Sequence, residues 1–267
     1  MLSVNAPHVP ALHISHSSRT LGDMLRKRVE ATPDRQAFFE REGSGWRPYT
    51  WAQAYQKVLR IAAGLRKLSL RRGDRLAIVG PTKLPWSLYD LAAQMLGLVS
   101  FGIYQGQTEE QIRYLLDHSQ AQVVLVGDES ELQCVLRAAS DLPSLTTIIP
   151  WDEALHVRYQ GTDPRLQSPS VLEVPALTPQ QVSESLSAIS PDDTAILIYT
   201  SGTTGPPKGA MLTHRNLLAL LGNNKGFASF FADDLTISFL PMAHSAERVL
   251  SFYGRVSTGV ATAFASS

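Results

Sequence analysis

The 267-residue sequence has only one cysteine and no net charge. Its single cysteine, Cys134, excludes an internal disulfide and a zinc site built from several cysteines, and it is typical of a reducing compartment. The 24 basic and 24 acidic residues cancel, so bulk charge indicates no nucleic-acid partner and no attraction to an acidic membrane. We therefore predict a cytoplasmic protein in which any anion binding depends on local charge.

Long apolar segments are also scarce. The first twenty residues contain no continuous apolar run, which argues against a secretory signal, and we expect residues 1–19 to form a loose tail. Residues 91–108 carry no charge, but Gln94 and three glycines interrupt them, so a buried helix followed by a strand is favoured over a membrane span. We predict no transmembrane segment and leave a peripheral membrane contact open.

Apolar periodicity alternates between strand and helix along most of the chain, and 44% hydrophobic residues suffice for a packed core. Thr50 is a predicted cap for a helix over 51–68, and Thr108 with Gln111 forms a capping box for a helix over 109–118. Strands are predicted at 75–79, 98–104, 123–126, 146–149, 195–199, 235–240 and 260–264. Further helices are predicted from about 85, through Cys134, and over 214–221 and 246–256. This alternation predicts an α/β protein with a doubly wound, mostly parallel sheet.

Residues 159–193 differ in composition from the rest of the chain. Proline, serine, glutamine and threonine dominate, although Val182, Leu186 and Ile189 have the spacing of a short helix. We predict an exposed connecting segment here.

Immediately after the predicted strand 195–199 comes a loop with an unusual density of hydrogen-bond donors. Residues 200–209 contain four hydroxyls, three glycines and one lysine: Thr200, Ser201, Thr203, Thr204, Gly202, Gly205, Gly209 and Lys208. Glycines allow backbone N–H groups to approach an anion closely, and hydroxyls and a lysine add further donors. Thr213 is a predicted cap of the next helix. We predict that this stretch is not part of a sheet and that it wraps a polyphosphate.

Two other interpretations of the loop are weaker. In a Walker A loop four residues separate the first glycine from Gly-Lys-Ser or Gly-Lys-Thr, and neither Gly202 nor Gly205 meets that spacing. An ordinary surface turn does not need four hydroxyls, three glycines and a lysine in ten positions.

Residues 199–209, Tyr-Thr-Ser-Gly-Thr-Thr-Gly-Pro-Pro-Lys-Gly, resemble the signature loop of the AMP-forming acyl-CoA synthetases and related adenylating enzymes. The resemblance implies an ATP-dependent ligase in which a carboxylate attacks the α-phosphate, pyrophosphate leaves, and coenzyme A displaces AMP. It implies that Thr200 to Gly205 and Lys208 bind ATP, that Lys208 is catalytic, and that Thr204 is a ligand of Mg²⁺.

Residues 239–248, Phe-Leu-Pro-Met-Ala-His-Ser-Ala-Glu-Arg, resemble the next motif of that family, and the Ala-Glu-Arg ending favours its long-chain fatty-acid branch. The resemblance places His244 beside the acyl-adenylate pocket, as a substrate-binding and catalytic residue. The alternative is a histidine that only helps to start a helix. Glu247 and Arg248 are predicted to form structural ion pairs.

Other motifs of the family are missing: Y-G-x-T-E, T-G-D, and the lysine of a C-terminal domain. Residues 106–109 match G-x-T-E but precede the loop, and capping of the helix that follows explains them better. We therefore expect residues 20–267 to be an incomplete adenylation domain, inactive alone, with an apolar face exposed around Phe252, Val256, Val260 and Phe264. Another carboxylate-adenylating ligase and a non-catalytic nucleotide-binding or interaction module stay open as alternatives, and the sequence does not indicate an oligomeric state.

Overall fold

A computed structural model describes residues 9–200, 205–223 and 230–265, and within them it contains ten strands, nine α-helices and a π-helix. The strands are β1 Gln36–Glu42, β2 Gly45–Thr50, β3 Arg75–Val79, β4 Val99–Ile103, β5 Val123–Val126, β6 Thr147–Pro150, β7 Thr194–Thr200, β8 Lys208–Thr213, β9 Leu235–Ser238 and β10 Ala261–Phe264. The helices are α1 Leu21–Ala31, α2 Trp51–Lys67, α3 Leu84–Leu96, α4 Glu109–Ser119, α5 Glu129–Ala138, α6 Glu153–Tyr159, α7 Pro179–Ala188, α8 His214–Asn223, the π-helix Ala246–Tyr253 and α9 Gly254–Thr258.

The larger sheet has six strands in the order β6-β5-β3-β4-β7-β8. Every neighbouring pair is parallel except β7 and β8. Apolar side chains pack on both faces of this sheet, against α2 and α3 on one side and α4 and α5 on the other. The predicted α/β class with a doubly wound, mostly parallel sheet is therefore confirmed.

Local hydrogen bonds define the helix ends that the sequence predicts. The Oγ1 of Thr50 accepts from the N–H of Gln53, whose side chain accepts from the N–H of Thr50, and Thr108 and Gln111 make the same reciprocal pair at α4. Each capping box satisfies two N–H groups that an α-helix leaves without partners. The interpretation of residues 106–109 as the start of a helix is confirmed.

A second sheet, in the order β2-β1-β10-β9, is absent from the sequence prediction. In it β10 lies between β1 and β9, and Phe38 of β1 pairs with Thr262 of β10. Periodicity within a segment cannot reveal a partner more than two hundred residues away. The prediction of an exposed apolar face was wrong for this reason, because Phe252, Val256, Val260 and Phe264 are all buried.

The prediction that residues 200–209 contain no sheet was also wrong at both ends of this stretch, because Thr200 ends β7 and Lys208 begins β8. Lys208 pairs with Thr200 and Gly209 with Tyr199, so residues 208–213 return antiparallel beside β7. Among the described strands β8 pairs only with β7, and its side chains are exposed or half-buried. Such an edge strand lacks the alternation of apolar and polar residues that marks a half-buried strand.

Two segments pack against the fold more closely than predicted: the expected loose tail and the expected exposed connection. Within the described part of residues 1–19, Ile14 and Ser15 are buried, and the N–H of Ala11 donates to the carbonyl of Phe230 at 2.9 Å. Residues 159–193 contain the short helix α7, as Val182 and Leu186 indicated, but Leu172 and Val182 are buried. The connection is therefore less exposed than the sequence predicts.

Candidate functional site

The predicted phosphate loop joins the two strands of a hairpin. Thr200 ends β7 and Lys208 begins β8, and the two residues pair across the hairpin. Ser201, Gly202, Thr203 and Thr204 lie outside the described residues, so the roles predicted for them, including Thr204 as a metal ligand, stay predictions. Gly205 is exposed with φ of +94°, a left-handed conformation that a side chain would strain.

Lys208 provides the positive charge at this hairpin. Its side chain is exposed and forms no ion pair with any residue that the structure describes. An exposed ammonium without a carboxylate partner can attract phosphate oxygens without breaking an existing contact.

An aromatic cluster on α4 holds both strands of the hairpin where they meet the loop. The hydroxyl of Tyr114 donates to the carbonyl of Pro207 at 2.8 Å, and the Nδ1 of His118 lies 2.9 Å from the hydroxyl of Tyr199. The rings of Tyr114 and His118 lie 5.3 Å apart, and those of His118 and Tyr199 lie 5.7 Å apart. Burial raises the pKa of Tyr199 to about 12, so its hydroxyl stays protonated at neutral pH. These contacts were missed by the sequence prediction.

His244 lies in the turn before the π-helix. Its N–H donates to the carbonyl of Pro241 at 2.9 Å, and its Nδ1 accepts from the N–H of Ala246 at 3.1 Å. His244 therefore contributes to the start of the π-helix, and its predicted role beside the acyl adenylate stays a prediction. Because Nδ1 accepts this bond, the proton of the neutral imidazole is on Nε2. The ring is exposed, so Nε2–H remains available as a donor.

A cleft of about 370 Å³ opens beside this turn. Residues beyond the carboxyl ends of β3, β4, β9 and β10 line it: Gly80, Thr82, Tyr104, Gln105, Phe239 and Ala265. Thr82 bridges the two sheets because its hydroxyl donates to the carbonyl of Leu240 at 2.8 Å. In open α/β sheets ligands bind in the crevice at the carboxyl ends of the strands. The cleft is thus the candidate binding site for the reacting group.

The two predicted parts of the site lie at the same edge of the larger sheet. β7, which leads to the loop, pairs in parallel with β4 at Leu197 and Phe101. Gly102 follows in β4, and a Cβ atom on it would lie 2.7 Å from the Cα of Ala243, so β4 also contacts the turn that carries His244. The parallel strands therefore direct the loop and the turn toward one edge.

Arg248 and Glu247 form buried ion pairs, as the sequence predicts. Arg248 contacts Asp90 at 2.5 Å, and Glu247 contacts Arg255 and accepts from Ser238 at 2.6 Å. The partner Asp90 was missed, although it is the only charged residue of the apolar helix α3, and an isolated carboxylate in such a helix indicates a buried cation nearby.

The described residues contain no cluster of side chains that could hold a metal ion and no helix that could cross a membrane. No three side chains of the His, Cys, Asp or Glu type come together there in a way that could hold a metal ion. No helix in that part of the chain is long and apolar enough to cross a membrane.

Curated proteins resemble this chain in sequence. The chain is 29% identical over 219 residues to the long-chain-fatty-acid–CoA ligase FadD15 of Mycobacterium bovis, covering 80% of this chain and 35% of that protein. It is also 29% identical over 252 residues to the long-chain-fatty-acid–CoA ligase ACSBG2 of Xenopus laevis, covering 92% of this chain and 34% of that protein. The chain thus spans about a third of the length of these curated relatives.

Solved structures share the same architecture. The adenylation domain of a carboxylate reductase from Mycobacterium chelonae superposes with a TM-score of 0.77 at 23% identity, covering 96% of this chain and 45% of that one. A putative long-chain-fatty-acid CoA ligase from Rhodopseudomonas palustris superposes with a TM-score of 0.76 at 20% identity, covering 92% of this chain and 57% of that one. At these identities the likeness concerns the fold alone. The model of the AMP-binding enzyme family matches residues 25–267, and the chain therefore belongs to that family.

Proposed function

We propose that this chain carries the phosphate-binding part of an AMP-forming ligase that activates a fatty acid. In the first step a carboxylate oxygen of the fatty acid attacks the α-phosphorus of ATP, the bond to the bridging oxygen breaks, and pyrophosphate leaves. In the second step the thiol of coenzyme A attacks the acyl carbon and AMP departs. The long-chain fatty acid is favoured because both curated relatives named above are long-chain-fatty-acid–CoA ligases.

One observation carries the proposal. A loop rich in glycines and hydroxyls follows the carboxyl end of β7, and the exposed Lys208 stands at its end without an ion-pair partner among the described residues. We assign the β- and γ-phosphates to residues 200–205 and Lys208. Their role is to position ATP and to neutralise the charge that develops as pyrophosphate leaves.

His244 is assigned to the acyl adenylate. The N–H of Ala246 orients its ring, and the exposed Nε2–H can donate to a carboxylate or phosphate oxygen. Met242 and Ala243, the two preceding residues, line the cleft of 370 Å³. We therefore assign the reacting carboxyl group to this cleft.

Mg²⁺ is expected to arrive with ATP, and the resemblance assigns a contact with it to Thr204, which lies outside the described residues. The described part of the chain offers no acidic cluster that fits the ion, so no step is assigned to it here.

We place the activity in the cytoplasm because of the single cysteine, with fatty acid drawn from solution or from a membrane surface.

The experiment measures binding of ATP in the presence of Mg²⁺ by calorimetry, for the wild-type chain and for Lys208→Ala. We expect the substitution to weaken binding on the order of tenfold, as for loss of one charge-assisted contact to phosphate. Lys67→Ala, at the exposed end of α2, serves as the matched control and should leave the affinity unchanged. No binding by wild type, or equal binding by both lysine variants, contradicts the assignment of Lys208.

Activity separates the ligase from its alternatives. In a protein that continues through the downstream motifs, Lys208→Ala should slow fatty-acid-dependent pyrophosphate release more than it weakens docking of ATP. Pyrophosphate release with other carboxylates but not with fatty acids favours another adenylating ligase. A stop codon directly after Ser267, together with binding of ATP, favours the non-catalytic nucleotide-binding module.

A further inference from the structure

A hydrogen-bonded network without solvent contact lies between the two sheets. Its members are Asp90 and Gln94 of α3, Ser100 of β4, and Arg248 and Tyr253 of the π-helix, each with 0% exposure. The carboxylate of Asp90 accepts from Arg248 at 2.5 Å, from Ser100 at 2.7 Å and from Tyr253 at 2.6 Å. Three donors on one buried carboxylate compensate for much of its lost hydration.

One end of the network reaches the strand of the phosphate loop. The side-chain amide of Gln94 donates to the hydroxyl of Ser100 at 2.8 Å and to the carbonyl of Ala195 at 3.2 Å. Ala195 lies in β7, whose last residue, Thr200, precedes the loop. Ser100 lies in β4 and pairs with Ile196 of β7.

The other end reaches the turn that carries His244. The N–H of Arg248 donates to the carbonyl of His244 at 3.0 Å. The guanidinium of Arg248 lies 5.2 Å from the ring centre of Trp86, and a Cβ on Gly102 would lie 3.1 Å from Trp86 and 2.7 Å from Ala243. The backbone of Arg248 thus contacts the turn directly, while its guanidinium packs on Trp86, which lies against the same residue of β4 as the turn does.

Stability alone does not explain a buried charge pair. Removing two charges from water costs free energy that an apolar pair of similar size would avoid, so a buried ion pair is weak evidence for stability. Its hydrogen bonds are directional, however, and they fix one relative position of the groups that they join. The π-helical turn that presents Arg248 and Tyr253 is itself a rare conformation that is frequent at functional sites.

We propose that Asp90, Arg248 and their hydrogen-bond partners are positioning residues, which hold the phosphate loop and the His244 turn in one relative position. The members of the network are fully buried, so none of them is assigned a direct contact with ATP or the acyl group. The network acts through β7 at one end and through the backbone of His244 at the other. This inference rests on the proposed function only in assigning ligands to the two segments that it joins.

The experiment cuts the network at each end and measures amide hydrogen exchange at the opposite end. Tyr253→Phe removes one bond to Asp90 and should raise exchange in residues 194–200 about threefold or more, although Tyr253 makes no hydrogen bond to β7. Gln94→Met removes the bond to Ala195 and should raise exchange in residues 241–248 to a similar extent. Tyr89→Phe, a buried tyrosine on α3 outside the network, is the control and should change neither segment.

A second measurement separates positioning from simple support of the fold. At a temperature well below unfolding, both network variants should weaken binding of ATP with Mg²⁺ about threefold, whereas Tyr89→Phe should not. Exchange that rises only beside each substitution overturns the proposal, and so does exchange that rises at both ends with unchanged affinity. If the wild-type chain binds no ATP, the proposed function fails, and the exchange pattern still decides whether the network joins the two segments.

Discussion

The hydroxyl of Tyr114 donates to the carbonyl of Pro207 at 2.8 Å, so α4 fixes the backbone of the residue directly before Lys208. On the other strand of the hairpin, Tyr199 precedes Thr200 and contacts His118, one turn further along α4. One helix thus holds both ends of the predicted phosphate loop.

Removing this contact should affect the loop more than the rest of the fold. We expect Tyr114→Phe to lower the free energy of unfolding by only about 1 kcal/mol, the value of one hydrogen bond. It should weaken binding of ATP with Mg²⁺ several-fold, because the backbone of Pro207, which precedes Lys208, is no longer held by α4. Urea unfolding and calorimetry measure the two effects. Tyr55→Phe, in the cleft between α1, α2 and α7, is the control, and equal affinities for the two variants would contradict the role of Tyr114.

Gly102 allows the His244 turn to lie against β4. A Cβ atom there would come within 2.7 Å of the Cα and 2.9 Å of the Cβ of Ala243, so Gly102→Ala must displace backbone. We expect a loss of about 1–3 kcal/mol in the free energy of unfolding, as for an overpacked core. Gly45→Ala is the control, because its added Cβ meets nothing closer than 3.7 Å. If urea unfolding gives the same stability for both variants, the close contact at Gly102 is not present in solution.

Local signals explain why much of the fold is predictable from sequence. Capping boxes such as Thr108 with Gln111 span four residues, and buried parallel strands such as β5 appear as short apolar runs. The second sheet is not predictable in this way, because its central pair joins residues 38 and 262. The exposed edge strand β8 has no apolar alternation and was missed for that reason.

In the candidate site, too, local motifs are predictable from the sequence and contacts between distant residues are not. The composition of residues 200–209 predicts a phosphate loop, and residues 239–248 predict a second motif with His244. The contacts that position these motifs join residues far apart in sequence, such as Tyr114 with Pro207 and Asp90 with Arg248. No pattern within one segment of a single sequence indicates which distant side chain will fill such a role.

Exposed apolar side chains on and directly after β9 should cause the chain to self-associate in solution. Leu235 and Ile237 of β9 and Phe239 directly after it are 56%, 62% and 67% exposed, and among the described strands β9 pairs only with β10. An open strand edge with apolar side chains favours association. We expect Ile237→Thr to reduce both the fluorescence of a dye that binds apolar surface and the size of oligomers on a sizing column. Val157→Thr, at an exposed valine of α6, should change neither, and identical behaviour of both variants would exclude β9 as the surface of self-association.

Stability should fall in mild acid because of His214, which is fully buried at the start of α8. Its Nδ1 accepts from the N–H of Leu21 at 3.2 Å, while its buried Nε2 has no partner among the described residues. Burial lowers the pKa of His214 from 6.5 to about 4, and the nearby charge of Asp193 offsets only part of this effect. The unfolded chain therefore binds a proton below pH 6.5 that the folded chain binds only near pH 4. The stabilising contribution is complete above pH 6.5 and is lost as the pH falls toward 4.

The full loss is about 3 kcal/mol, from a pKa difference of roughly two and a half units. Asn is the informative replacement, because its side-chain oxygen can still accept from Leu21 but does not titrate. Urea unfolding at several values between pH 7.5 and 4.5 should give a shallower decline of stability for His214→Asn than for wild type. His156→Asn on the surface helix α6 should retain most of the wild-type slope. Parallel curves for wild type and His214→Asn would mean that His214 is accessible to protons in the folded protein.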